Sequence, residues 1–365
     1  MIYHKLISKR LEDLAILELK EGAKIDLDGQ SYQGYLPLPI LSSRLVNLVQ
    51  KDLDQIPIAY FVEGMVYYIS LGQDDKYKDT YFDFIKSASK DAKGFVFKAA
   101  LEYMADENFL DGVIYLNFLV EKDLADGKIL FSLGQGLENL DISILSDQEK
   151  NAYAIELMNI YERVLNQDPD FSLAYYKLAY IYRDFGQFLK AKLVIEKFLK
   201  LDKNDFRLQE ARILLEDIQS DINKEEAALD LEVGAYDQAL KKLLEVNLEK
   251  RDDYYFYQLS LAYYYLGLYE DSLAAIKKAI EIEDSKIYRN QVAISYQQLG
   301  RPDLAKKEIE EAIDSFGPDY FLNYNLASIF YQEGHKEAAL GNFEIAYEID
   351  PNPDLAQIID QLKNS

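Results

Sequence analysis

One pattern, written three times between Asp253 and Pro351, constrains the fold of this chain more than any other feature. Each copy is a tyrosine-rich apolar run closed by a glycine, at Gly267, Gly300 and Gly334. The two spacings are 33 and 34 residues. A regular spacing of about 20 to 50 residues is typical of repeat arrays, in which each unit packs only on its neighbours. The pattern therefore predicts an array of repeats.

Each copy of the pattern indicates two helices joined at the glycine. The apolar residues before Gly267 recur on one helix face, at Phe256, Leu259, Tyr263 and Leu266. A second amphipathic run follows it, and a glycine at the junction can take the left-handed conformation that closes a helix. A small residue five positions after each glycine favours a close helix crossing, at Ser272, Ala305 and Ala339. One hairpin cannot bury its own apolar face, so neighbouring hairpins must stack.

The pattern resembles the tetratricopeptide repeat. The clearest match starts at Ser172 and carries Tyr175, Leu178, Ala179, Tyr182, Gly186, Phe188, Ala191 and Ile195 at the consensus places. Units starting at Asp253, Lys286 and Tyr320 are in phase with the same consensus. The resemblance implies an all-α fold, a right-handed superhelical solenoid of about seven to eight helical hairpins, several of them degenerate. An irregular N-terminal segment and a C-terminal capping helix complete it.

The pattern divides the chain into three parts. Residues 1–40 are predicted to be one helix over 1–20 and an irregular loop or small hairpin over 22–39, around the turn signal Asp28–Gly29. Residues 41–219 are predicted to form a degenerate repeat array, and residues 220–365 a regular array with a capping helix. The repeat slips between Gly186 and Gly234, which are 48 residues apart. We place the surplus in a longer first helix or an extra turn near 218–224, as a hinge or a boundary.

Net charge and composition limit the classes of partner that we expect. The net charge is −24, which repels phosphate backbones and anionic lipids, so neither nucleic acid nor a membrane surface is an expected partner. Such a field attracts a basic protein or peptide partner, although the acidic faces can also be simply solvated. The chain has no cysteine, and its N-terminus lacks the apolar core of a signal peptide, so the predicted location is cytoplasmic. The oligomeric state is left open.

The sequence offers no recognisable catalytic site. It has two histidines, and none of the motifs that bind nucleotides, hold catalytic zinc or present a nucleophilic serine. We therefore predict a protein that is not an enzyme and that has no cofactor and no metal site.

The resemblance implies that the first helix of each hairpin lines a concave groove, and the matching positions carry many tyrosines. Tyrosine gives a large contact area at low entropic cost and keeps a polar tip. The candidate peptide-binding groove consists of Tyr176, Tyr180, Arg183, Tyr254, Tyr257, Leu261, Tyr264, Tyr265, Asn290, Gln297, Phe321, Tyr324 and Tyr331. Four other tyrosines fall at core positions of the repeat and are predicted to be packing residues: Tyr175, Tyr182, Tyr263 and Tyr296.

These observations favour a scaffold or adaptor that binds a peptide segment in an aromatic concave groove. Some members of the family clamp a C-terminal carboxylate with lysine and arginine, but tyrosine, asparagine and aliphatic residues occupy those positions in this chain. An alternative is a regulatory sensor, in which a small peptide or ligand binds and two repeat subarrays move. An enzymatic alternative would need a convergent polar pocket in the irregular N-terminal region.

Overall fold

The computed structural model describes residues 1–20, 22, 24–28, 30–33, 36–50, 56–71 and 76–364. The chain divides into two compact units, Met1–Ala211 and Arg212–Ser365. The three-part domain organisation stays a prediction. Among the helices of the described ranges, none combines the length and the apolar character needed to cross a membrane.

The described residues contain twenty α-helices. Those of the first unit are α1 (Ile2–Ile7), α2 (Ser42–Gln50), α3 (Ile58–Leu71), α4 (Lys78–Ala88), α5 (Ala92–Ala105), α6 (Phe109–Glu121), α7 (Gly127–Glu138), α8 (Asp147–Gln167), α9 (Ser172–Asp184) and α10 (Phe188–Leu201). The division between the units falls within α11 (Asp205–Asp217). Those of the second unit are α12 (Gln219–Glu232), α13 (Tyr236–Leu244), α14 (Asp253–Tyr265), α15 (Tyr269–Ile282), α16 (Lys286–Gln298), α17 (Pro302–Phe316), α18 (Tyr320–Gln332), α19 (Lys336–Ile349) and α20 (Pro353–Asn364).

Consecutive helices pair as hairpins, and successive hairpins stack into an all-α solenoid within each unit. In the described part of the first unit the pairs are α3/α4, α5/α6, α7/α8 and α9/α10, and in the second unit they are α12/α13, α14/α15, α16/α17 and α18/α19. These eight hairpins agree with the predicted repeat array. The small residues Ser272, Ala305 and Ala339 are fully buried, as predicted for close helix crossings.

The predicted helix over residues 1–20 is wrong beyond its first turns. Helix α1 ends at Ile7, a 3₁₀ helix covers Ser8–Asp13, and the chain continues as the strand β1 (Leu14–Glu18). This strand pairs antiparallel with β4 (Pro37–Leu41), which lies across an intervening hairpin. A local pattern of leucine, alanine and glutamate favours a helix, and only the distant partner overrides that preference.

The small hairpin predicted within 22–39 is present. Strands β2 (Lys24–Leu27) and β3 (Gln30–Gln33) pair antiparallel around the predicted turn. Asp28 has a positive φ of 44°, as tight hairpin turns require, while Gly29 lies outside the described residues.

Ion pairs and apolar contacts fix the N-terminal segment on the helices of the first unit. Leu38 and Ile40 of β4 are buried beside α3. The Arg10 guanidinium donates two hydrogen bonds, of 3.1 and 3.0 Å, to the buried carboxylate of Asp111 on α6. Near α1, the Lys5 ammonium and the Ser146 backbone N–H lower the pKa of Glu149 to about 2. The segment is therefore an integral part of the first unit.

The repeat slip has a different cause from the predicted one. The surplus residues form a complete extra helix, α11, and the next hairpin begins at Gln219, so residues 219–224 are the start of α12. The extra turn predicted near 218–224 is therefore wrong. The break falls at Ile218, which is buried, and no glycine or proline marks it in the sequence. The apolar pattern continues across the break, and this hides it from a reading of helical periodicity.

Candidate functional site on the first helices of the second unit

The first helices α14, α16 and α18 of the second unit carry most of the predicted groove residues. The repeat positions that the resemblance assigns to the groove are occupied on these helices by fifteen residues, which we call the first-helix face. They are Tyr254, Tyr257, Leu261, Tyr264, Tyr265, Ile287, Asn290, Ile294, Gln297, Gln298, Phe321, Tyr324, Ser328, Tyr331 and Gln332. None of them is charged, although 28% of the chain is.

Several large side chains of this face are exposed to solvent. The exposed fractions lie between 52% and 64% for Tyr254, Tyr265, Ile287, Phe321 and Tyr331. The core tyrosines Tyr182 and Tyr296 are, by contrast, buried as predicted. The other two tyrosines predicted to be packing residues, Tyr175 and Tyr263, are only partly buried.

The tyrosines of α14 form a connected group of rings. The centroid of Tyr257 lies 6.3 Å from that of Tyr254 and 5.2 Å from that of Tyr288 on α16. Burial raises the pKa of Tyr257 above its usual value, and the nearby Tyr254 adds to the shift. At neutral pH the Tyr257 hydroxyl therefore keeps its proton and can donate a hydrogen bond.

A second aromatic group lies at the C-terminal end of α14. The rings of Tyr265 and Tyr236 are stacked, with centroids 4.5 Å apart and planes 10° apart. Tyr264 packs edge-on against Tyr265 at 5.3 Å. Burial also raises the pKa of Tyr264.

Side-chain amides connect α16 to α18 across this face. The Asn325 amide donates to the Asn290 side-chain oxygen at 2.7 Å, and the Gln297 amide donates to the Gln332 side-chain oxygen at 3.1 Å. Each amide still has donor or acceptor capacity beyond this single bond. The face thus combines apolar rings with amide groups suited to hydrogen-bonding a peptide backbone.

The first-helix face ends in a cavity of about 520 Å³ between α18, α19 and α20, which we call the α20 pocket. Tyr324 and Tyr331 of the face line it. Phe343 of α19, with Ile358 and Leu362 of α20, supplies further apolar surface.

Comparison with models of known protein families identifies the repeats of this array. Models described as tetratricopeptide repeat match residues 160–192, 254–286 and 293–352. This chain is a tetratricopeptide repeat protein. The matched segments include α18, nearly all of α14 and part of α16. Repeats of this family are in general non-enzymatic scaffolds for protein interaction.

Solved structures of other repeat proteins resemble this one. A tetratricopeptide repeat protein from Parabacteroides merdae is 18% identical, with 74% of this chain and 98% of that chain covered and a TM-score of 0.36. The C-terminal part of a repeat protein from Cytophaga hutchinsonii is 16% identical, with 72% and 98% covered and a TM-score of 0.39. A thermophilic repeat protein in Thermus thermophilus is 17% identical, with 66% and 100% covered and a TM-score of 0.34. No curated protein matches the chain significantly.

Three predicted groove residues of this repeat protein belong to the first unit and bond to their own neighbours. The Tyr176 hydroxyl donates to the Glu210 carboxylate at 2.9 Å and lies 3.3 Å from the Tyr180 hydroxyl. The Arg183 guanidinium lies 5.1 Å from the Tyr180 ring centroid and pairs with Asp184 at 2.7 Å. This group is charged and internally bonded, unlike the first-helix face.

The pocket residues on α19 and α20 were not among the predicted groove residues. The resemblance assigns the groove to first helices and treats the last helix as a cap with a polar outer side. That outer side is indeed exposed, at Gln357, Asp360, Gln361 and Lys363. One signal could have revealed the pocket: Ile358 and Leu362 follow Tyr324 and Ser328 by 34 residues, the spacing of the repeat itself. Helix α20 therefore stands where the next first helix would be.

Proposed function

We propose that this protein is a non-enzymatic adaptor or scaffold that holds a peptide segment of a partner protein on the first-helix face. One observation carries the proposal. In a chain that is 28% charged, this face has no charged residue and exposes several large aromatic and aliphatic side chains. A contiguous exposed apolar surface typically marks an interaction site, because exposing apolar side chains to water does not stabilise the free protein.

The chemistry of the face suits a peptide better than a small polar ligand. Tyrosine rings supply apolar contact area, and tyrosines near the centre of an interface often contribute about 2 kcal/mol or more to binding. The amide pairs Asn290–Asn325 and Gln297–Gln332 join α16 to α18. A peptide backbone offers one donor and one acceptor per residue, which such amides can engage.

The experiment is affinity capture from a lysate of the native cell, comparing wild-type protein with the double variant Tyr257→Ala/Tyr324→Ala. We expect a partner protein that the wild type retains and the variant loses. Both tyrosines are partly buried and contact Tyr288 and Phe343, so this variant can also loosen the array. A second variant, Tyr254→Ser/Tyr331→Ser, changes rings that are more than half exposed and therefore removes less packing.

A matched control changes exposed apolar residues on second helices. Leu304 on α17 and Ile345 on α19 are 42% and 41% exposed and lie outside the first-helix face. The variant Leu304→Ala/Ile345→Ala should capture the same partner as the wild type. Equal capture by both tyrosine variants, with their helical content unchanged, would refute the proposal.

A further inference from the structure

We propose that the α20 pocket anchors one bulky, uncharged apolar side chain of the bound peptide segment. This inference rests on the proposed function and adds the chemistry of the partner. The pocket's volume of about 520 Å³ lies within the range of about 300 to 1,000 Å³ that is usual for ligand pockets. Its apolar lining comes from Phe343, Ile358 and Leu362, and the first and last of these are more than nine-tenths buried.

The polar residues of the pocket are all uncharged. They are Ser328, Gln332 and Gln361. The Ser328 hydroxyl already donates to the Tyr324 backbone oxygen at 2.8 Å, so its proton does not need a ligand as acceptor. A charged side chain entering this pocket would lose hydration and find no opposite charge among the lining residues, which is costly. The lining therefore selects against lysine, arginine, aspartate and glutamate at the anchor position.

The position of the pocket favours a peptide over a free small molecule. Tyr324, Tyr331 and Gln332 belong both to the pocket and to the first-helix face. A segment lying across α14, α16 and α18 can therefore place one side chain in the pocket without leaving the face. We accordingly commit to an uncharged peptide segment with a phenylalanine, leucine, isoleucine or methionine at one end.

The experiment uses the full chain and a phage-displayed library of random dodecapeptides. Peptides selected on the wild type are sequenced, and their affinities are measured for variants of α20. Ile358→Asp places a charge in the pocket. Gln357→Asp, its matched control, places the same charge on the adjacent exposed residue outside the pocket lining. Because Ile358 is partly buried, the isosteric Gln361→Glu provides a second pocket variant at an exposed position, and thermal unfolding reports whether each variant is folded.

We expect the selected peptides to be uncharged apart from their ends and to share one bulky apolar residue. Their affinity should fall by about tenfold or more for Ile358→Asp, fall less for Gln361→Glu and stay within about twofold for Gln357→Asp. Selected peptides that are predominantly charged, or equal affinities for Ile358→Asp and the wild type, would overturn the inference.

A further variant separates failure of the pocket from failure of the proposed function. Tyr257 lies on the first-helix face outside the pocket lining. If the peptides lose affinity for Tyr257→Ala but bind Ile358→Asp normally, the anchoring role of the α20 pocket is refuted and peptide binding on the first-helix face is supported. Peptides indifferent to both changes, or a library that yields none, would overturn both proposals.

Discussion

Gly300 shows how one residue ends the first helix of a repeat. It follows α16 with a φ of 70°, in the left-handed region, and no atom beyond its chain neighbours lies within 4 Å of the place where a Cβ would stand. Gly267 and Gly334 have φ values of 78° and 82°. A side chain at these places would meet no atom of a packed neighbour, so the left-handed backbone conformation accounts for the glycine.

The substitution Gly300→Ala should therefore destabilise the protein by about 1–2 kcal/mol, the cost of left-handed backbone for a residue with a Cβ. Gly341 is the matched control because it lies inside α19, has no positive φ and likewise offers open space to a Cβ. Gly341→Ala should stabilise the protein by up to about 1 kcal/mol. Urea unfolding of the two variants measures both effects, and a change of the same sign in both would contradict this explanation.

At the same scale, the sequence predicts the exposed tyrosines better than their contacts. Repeat position alone separates Tyr254 and Tyr265, which are exposed, from Tyr296, which is buried. Tyr265 stacks on Tyr236, which belongs to a different hairpin. The residue spacing within one repeat does not predict contacts between hairpins. The function of the face stays a proposal.

At the scale of elements, two adjacent residues of α20 have different roles, one in the core and one in the α20 pocket. Ile359 is 7% exposed and packs in a buried cluster with Leu355, Leu362 and Phe343. Its neighbour Ile358 is only partly buried and faces the α20 pocket. The helix thus closes the core of the array with one side and extends the first-helix face with another.

We expect Ile359→Ala to lower the free energy of unfolding by about 2–5 kcal/mol, as is usual for removing a buried isoleucine. Ile358→Ala should cost less than about 2 kcal/mol, because less of its surface is buried and the cavity beside it already exists. Chemical unfolding of the two variants tests this difference. Equal losses would mean that Ile358 is a core residue and that the pocket is closed in solution.

The elements that the sequence predicts correctly are those whose signal is local and repeated. Each hairpin from α14 to α19 carries its own apolar period and its own closing glycine. Strand β1 has no such signal, because β4 supplies its partner from across an intervening hairpin. The start of α12 at Gln219 is missed for the opposite reason: the apolar pattern of α11 runs on into α12 through buried Ile218. Non-local pairing and an unmarked helix break both lie beyond a local reading of the chain.

At the scale of the whole molecule, the proposed binding face differs in charge from the rest of the chain. The chain carries a net charge of −24, yet the first-helix face has none. A long-range acidic field changes how fast a charged partner arrives, whereas contacts on an uncharged face determine how tightly it stays. The acidic composition therefore gives little information about the residues that the partner inserts.

The measurement that tests the central claim most directly is the salt dependence of binding. The dissociation constant of the captured partner's binding segment is measured by equilibrium titration from about 50 to about 500 mM sodium chloride, a range over which exposed charge pairs become largely screened. Recognition by an uncharged aromatic face predicts a dissociation constant that changes by less than about threefold. A weakening of about tenfold or more would show that the acidic surface recognises the partner, and it would contradict recognition by the first-helix face.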